Sequence, residues 1–334
     1  MTPTPRIGFA CKIQSTHDKA APGLNTGTTT LTWLNNQTKD VAVAKLWGVL
    51  DKNTNAIIKQ LDWLSTKPLQ ERMFRLSSDL LPVYTHEDWS WFYWQPDVVR
   101  ELEARFGMIG NLARQHDIRL SFHPGQFCVL ASENPGIVEN SIQEFEYHCD
   151  LIRYMGYGQK FQDFKCNVHI AGKQGPDGIK SALKRLSREA RNTLTIENAE
   201  FSWGIDASLE LVEHCALVLD IHHHWIMTGE YIEPTDPRVQ RLWESWRGVR
   251  PVIHYSVSRE EHLVDHDTET KPNLSELQQL GFTKAKLRAH SDYYWNTACN
   301  RWAMSFLPYA DIMSESKQKN LSTPSLVEQA KNLA

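Results

Sequence analysis

Eight short apolar runs, spread along the whole chain and separated by stretches of helical periodicity, limit the folds open to this sequence. They are RIGFACKI (from Arg6), MFRLSS (Met73), IRLSFHP (Ile118), KCNVHIAG (Lys165), TLTIENA (Thr193), ALVLDIHHH (Ala216), PVIHYSVS (Pro251) and YADIMSES (Tyr309). Several are near-continuous rather than alternating, which suits parallel strands covered on both faces. Between them, segments such as Val98 to Gln115 and Ile137 to Met155 carry apolar residues at helical spacing. Strands alternating with helices, without a break in composition, predict an α/β fold: one (β/α)8 TIM barrel domain over residues 1–334. Residues 20–37, rich in Gly, Thr and Asn, and the charged segment 259–287 read as inserted loops, and 318–334 as a short C-terminal tail.

The formal net charge is −4, so no global positive field draws in a nucleic acid. Binding to DNA would need a local patch or bound cations. No secretory signal pattern opens the chain, and no run approaches the ~18 apolar residues of a membrane helix. A cytoplasmic, membrane-free monomer without an obligate protein partner is expected, nucleoid-associated if bacterial. The six cysteines have no C-x-x-C spacing and read as free buried thiols.

The 14 histidines are not scattered at random. The third predicted strand ends in His123, the fourth carries His169, the fifth Glu197, the sixth Asp220 and a triplet of imidazoles, the seventh His254 and the eighth Glu315. His290 stands in the loop before the last strand. In a parallel barrel the C-terminal strand ends meet at one mouth. A lone histidine or glutamate there is an ordinary hydrogen-bonded or solvated group. A whole set is costly to bury unless paired or metal-bound. Imidazoles and carboxylates without thiolate suit Zn²⁺, Mn²⁺ or Fe²⁺, and the set exceeds one ion, so two or three divalent ions are expected, with Glu197 able to bridge. Such centres lower the pKa of water towards ~7 and hydrolyse phosphodiesters, but they also isomerise sugars, and the pattern alone fits both.

SFHPGQF (Ser121 to Phe127), NVHIAG (Asn167 to Gly172), TIENAE (Thr195 to Glu200), LDIHH (Leu219 to His223), RAHSDY (Arg288 to Tyr293) and DIMSESK (Asp311 to Lys317) resemble the UV damage endonuclease family, in order along nearly the whole chain. The resemblance implies a barrel related to endonuclease IV with a multinuclear metal centre, Mn²⁺ before Zn²⁺. It implies nicking of UV-damaged double-stranded DNA immediately 5′ of the photoproduct, leaving a 3′-hydroxyl. The family's metal ligands fall on His123, His169, Glu197, Asp220, His223, His254, His290 and Glu315, with Glu197 also the catalytic carboxylate. Strand alternation would pair Asp220 with His222; the resemblance selects His223 and leaves His222 and His224 as supporting or loop groups. Gln126 and Phe127 match the pair that enters the duplex at the lesion, and Phe9 stands where the family has a third contact; Phe127 and Phe9 both replace tyrosines. Phe127 as ordinary core is the bland alternative.

Val252 occupies the position, two before His254, where the family commonly has a lysine that can be carboxylated. His262 and His266 are expected as solvated loop residues. The aromatics of EDWSWFYWQ (Glu87 to Gln95) suit either stacking on extruded bases or packing under a long loop, and the basic residues of Gly178 to Arg191 read as a solvated helix face. A sugar isomerase or small-molecule hydrolase on the same barrel, and a damaged-DNA binder that no longer cuts, are the rival readings.

Overall fold

Eight parallel strands close on themselves in a barrel. They are β1 (Ile7–Ala10), β2 (Met73–Arg75), β3 (Arg119–Phe122), β4 (Lys165–His169), β5 (Leu194–Glu197), β6 (Ala216–Asp220), β7 (Val252–Tyr255) and β8 (Asp311–Ser314). β8 closes against β1 with Ile7 opposite Ile312. This is a computed structural model and describes residues 4–333. Met1–Pro3 and Ala334, the ends of the expected domain and tail, lie outside the described residues. Each predicted apolar run contains one barrel strand.

Two apolar layers result from strand alternation. Ala10, Met73, Ala216, Val218, Val252 and Met313 point inward and, with Trp246, fill the lower barrel. The opposite parity, including Phe74, Val168, Ile196 and Leu219, packs against the helices. The helices Pro96–Gln115 and Pro135–Tyr154 start two residues before the predicted positions, because proline fits the first helical turn. Asn134 caps the second, accepting from the Gly136 N–H at 2.8 Å. These two helices touch at Gly110, where a Cβ would lie 1.9 Å from the Met155 carbonyl oxygen. Gly110→Ala is therefore expected to cost about 1–3 kcal/mol or more, read as a lower urea midpoint; an unchanged midpoint would contradict this packing.

Three expectations need correction. Residues 20–37 include the helix Leu31–Asn35 and are tied down elsewhere: Asn53 accepts from the Gly27 N–H, and Asn25 bonds the Ile13 backbone in both directions. The segment 259–287 holds the helices Leu274–Gln279 and Lys284–Leu287, with Leu274, Leu277 and Leu287 buried. The tail is the helix Thr323–Leu333, whose Leu326 and Val327 are buried beside β1. In each case a few apolar residues anchor a segment whose local composition is polar.

The Glu87 to Gln95 cluster divides. Trp89, Phe92 and Tyr93 are buried packing, with the Tyr93 hydroxyl donating to the Pro82 carbonyl, whereas Trp94 is exposed. In Gly178–Arg191, Lys180 pairs with Asp177, Arg185 pairs with Glu139, and Ala182, Leu186 and Ala190 are buried. All six cysteines are free. Among the described residues no helix is long and apolar enough to cross a membrane.

Candidate active site

The inward parity that fills the lower barrel with apolar side chains carries charged and imidazole groups near the mouth. Val218 is followed two residues later by Asp220, Val252 by His254 and Met313 by Glu315; Thr195 precedes Glu197, and Ser121 precedes His123. The register sets His169 beside Glu197 and Asp220 beside His254.

Glu197 is fully buried at the centre. Its Oε2 lies 3.3 Å from His123 Nε2 and 3.5 Å from His169 Nε2. Its Oε1 lies 3.1 Å from His254 Nδ1 and 3.5 Å from His223 Nδ1. Two groups with ligand atoms within 4.8 Å of one another share it: His123, His169 and Glu197, and Glu197, Asp220 and His254. Glu315 Oε1 stands 3.4 Å from His254 Nδ1, and the His290 Nδ1 bonds the Glu315 carbonyl at 2.7 Å, which leaves Nε2 of His290 free. The predicted ligands are therefore neighbours in one mouth, with His223, His290 and Glu315 flanking the two tight groups.

The histidine triplet is helical. β6 ends at Asp220, which caps the helix Ile221–Thr228 by accepting from the His223 N–H at 2.7 Å. Residues three apart share a helix face, so His223 returns to Asp220, with Nδ1 3.7 Å from Oδ2. His222 instead stacks on Trp225, and His224 bonds Glu230.

Several supporting groups escaped the sequence reading. Asn167 donates to Glu197 Oε2 and accepts from Thr195 at 2.7 Å. Asn198 is buried and bonds the Asp220 backbone twice, its amide donating to the Asp220 carbonyl and accepting from the Asp220 N–H. Arg75 is ion-paired to Glu315. Lys165 is buried, and its Nζ lies 2.8 Å from His254 Nε2. Counting back in twos from His169 to Asn167 and Lys165 is the signal that finds the last of these on β4. Val252 lies in the inner apolar layer, so the amine at this site comes from β4 and not β7.

Burial pushes Glu197 up, but His254 and His169 outweigh it and hold the carboxylate well below its usual range. Burial likewise raises Glu315 until Arg75 reverses the shift. Burial drives His123 down to about 4, and lowers His254 and His290. These imidazoles are thereby neutral and able to ligate. His169 and His223 go the other way: burial lowers them, yet Glu197 raises His169, and Asp220 with Glu197 lifts His223 to about 9. Burial takes Asp220 up to about 7, and Lys165 down to about 7. Glu197 Oε1, Asp220 Oδ2 and His254 Nδ1 are buried without a hydrogen-bond partner. Orphan ligand atoms of this kind in one cluster fit a divalent cation.

A cation bound through His223 must displace the proton held there up to about 9. Mn²⁺ binding at pH 7 is accordingly expected to release a proton, with affinity rising by roughly tenfold per pH unit towards pH 9. Titration calorimetry in buffers of different ionisation enthalpy reads this directly; a buffer-independent heat would contradict it. For the metal-free fold the sign is opposite. A His223 pKa raised above its unfolded value of ~6.5 stabilises fully below that pH, and the contribution is lost as pH rises through about 9.

Of the expected lesion contacts, Gln126 and Phe127 are exposed on the loop after β3, Phe127 by 84%. That excludes core packing for Phe127. It borders a groove of about 940 Å³ lined also by Ser78, His86 and Gln143 and by three carboxylates, Asp79, Glu87 and Glu144. Phe9 is a correction. It has the outward parity of β1 and is 4% exposed, edge-on to Trp63 and Phe74 in the helix layer, with no access to the mouth. His266 bonds the Thr270 carbonyl within its loop, and His262 ends a short helical turn; neither belongs to the two ligand groups.

Residues 5–333 match the family model for UV-endonuclease UvdE. A UV DNA damage endonuclease from Bacillus cereus (strain B4264) is 26% identical over 311 residues, covering 90% of this chain and 88% of that protein. The UV-damage endonuclease of Schizosaccharomyces pombe (strain 972 / ATCC 24843) is 26% identical over 80% of this chain and 42% of that protein. The crystal structure of SacUVDE superposes with a TM-score of 0.71 at 22% identity, over 98% of this chain and 99% of that one, and supports the same fold. With a barrel of this topology and a family match along almost its entire length, the chain belongs to the UV-endonuclease UvdE family.

Proposed function

We propose that this protein is a metal-dependent DNA repair endonuclease that nicks the backbone of duplex DNA 5′ of UV photoproducts. The observation that carries this reading, within the family, is the buried Glu197 shared by two ligand groups whose orphan atoms face one another in the mouth. His123, His169, Glu197, Asp220, His223, His254, His290 and Glu315 would hold two or three divalent ions, Mn²⁺ first and Zn²⁺ or Fe²⁺ next. When bound, such ions supply Lewis acidity to a phosphodiester and acidify water.

The chain's own residues set the conditions. Glu197, charged throughout the working pH range, draws four imidazoles to one point. Asn167 fixes one of its oxygens and leaves the other to the cluster. Arg75 holds Glu315 against the wall beside His254. At the rim, exposed Phe127 offers an apolar wedge and Gln126 an amide for base edges.

One observation favours the rival of a non-cleaving binder: Val252, an apolar residue where the family commonly has a lysine. An end-labelled duplex carrying a single cyclobutane pyrimidine dimer separates the readings. A single cut 5′ of the dimer in Mn²⁺, leaving an end that a polymerase extends, is the expected result. A gel shift without cutting would support the binder, and neither binding nor cutting in any divalent metal would contradict the proposal.

A further inference from the structure

We infer that Lys165 is a positioning residue that fixes the orientation of His254, holding its Nε2 so that Nδ1 faces Glu197 and Glu315. This rests on the reading of the mouth as a metal centre. An imidazole presents an ion with whichever nitrogen its other bond leaves free, and the bond on the far nitrogen sets the ring's rotation and tautomer. His254 is fully buried, so bulk solvent does not supply that bond. Nε2 has Lys165 Nζ at 2.8 Å, while Nδ1 lies 3.1 Å from Glu197 and 3.4 Å from Glu315 with no hydrogen bond of its own.

Lys165 is not where fold stability would put a lysine. It opens β4, at the end of the barrel far from the mouth, and its side chain climbs through the interior to reach His254. The neighbouring inward residues Met73, Val252 and Met313 are apolar. Among the described residues Nζ has no carboxylate within 4.0 Å and no other hydrogen bond. A buried amine paired only with an imidazole is expensive; a methionine of similar length would fill the same space without that cost. An amine has one property methionine lacks: it hydrogen-bonds Nε2, and the 2.8 Å contact fixes the rotation of the ring.

The test compares wild type with Lys165→Met for Mn²⁺ retained in equilibrium dialysis, for the visible absorption of the Co²⁺-loaded protein, and for thermal unfolding without metal. The expected result is a metal-free variant at least as stable as wild type. Its Mn²⁺ affinity should fall about 10- to 100-fold, with an altered Co²⁺ spectrum because His254 no longer presents Nδ1 reliably. A merely space-filling lysine would leave the spectrum unchanged. Wild-type affinity and spectrum in the variant would overturn the inference alone. A wild-type protein that retained no ion would overturn both it and the metal reading. Should Lys165→Met fail to fold, Lys165→Leu carries the same comparison.

Discussion

Glu197→Gln is expected to lower nicking of UV-damaged duplex by about 10³-fold or more, since both ligand groups share this carboxylate and, on the proposed reading, would hold their ions through it, with several kcal/mol of transition-state stabilisation at stake. The substitution preserves shape. It removes the charge that His254 and His169 keep on this carboxylate, and it turns one oxygen into an amide donor aimed at imidazoles. Neither tight group then has its shared anion, so metal content should fall together with activity. The fold should persist, because the amide still accepts from Asn167 and the burial of a charge has been relieved. Nicking rate, retained Mn²⁺ and circular dichroism on one preparation check the three parts. A variant that nicks within tenfold of wild type would refute the central role of this residue.

Phe127→Ala should weaken lesion recognition about 10- to 100-fold, the equivalent of one lost aromatic stacking contact of ~1–3 kcal/mol. The phenyl ring is 84% exposed on the loop between Pro124 and Cys128, so the free protein keeps it in water at no gain to the fold. Thermal stability should not move. Affinity for undamaged duplex, which depends on phosphate contacts, should also hold. A gel-shift competition between irradiated and untreated duplex reads the ratio. An unchanged ratio would remove Phe127 from lesion recognition, and a large loss of stability would mean that the loop packs differently.

The strands were legible because each buries both faces and so leaves an apolar run in the sequence. The mouth was legible because β3 to β8 each place a polar inward residue just beyond such a run. Parity explains the failures. Phe9 is one residue from the inward Ala10, and a family position does not reveal which way a strand faces. His223 follows a helix turn that starts immediately at Asp220, where strand counting breaks down. Lys165 and Arg75 reach their partners across 89 and 240 residues of sequence, and no local pattern announces such contacts. The helix Thr323–Leu333 reads as a tail because its anchors, Leu326 and Val327, meet a strand at the opposite end of the chain.

The most direct test of the central claim is nicking of supercoiled plasmid, UV-irradiated beside untreated, in Mn²⁺ and in excess chelator. Relaxation of the irradiated plasmid alone, abolished by chelator and restored by Mn²⁺, is the predicted result. Equal cutting of both plasmids, or cutting that persists in chelator, would contradict a metal-dependent endonuclease directed to UV damage.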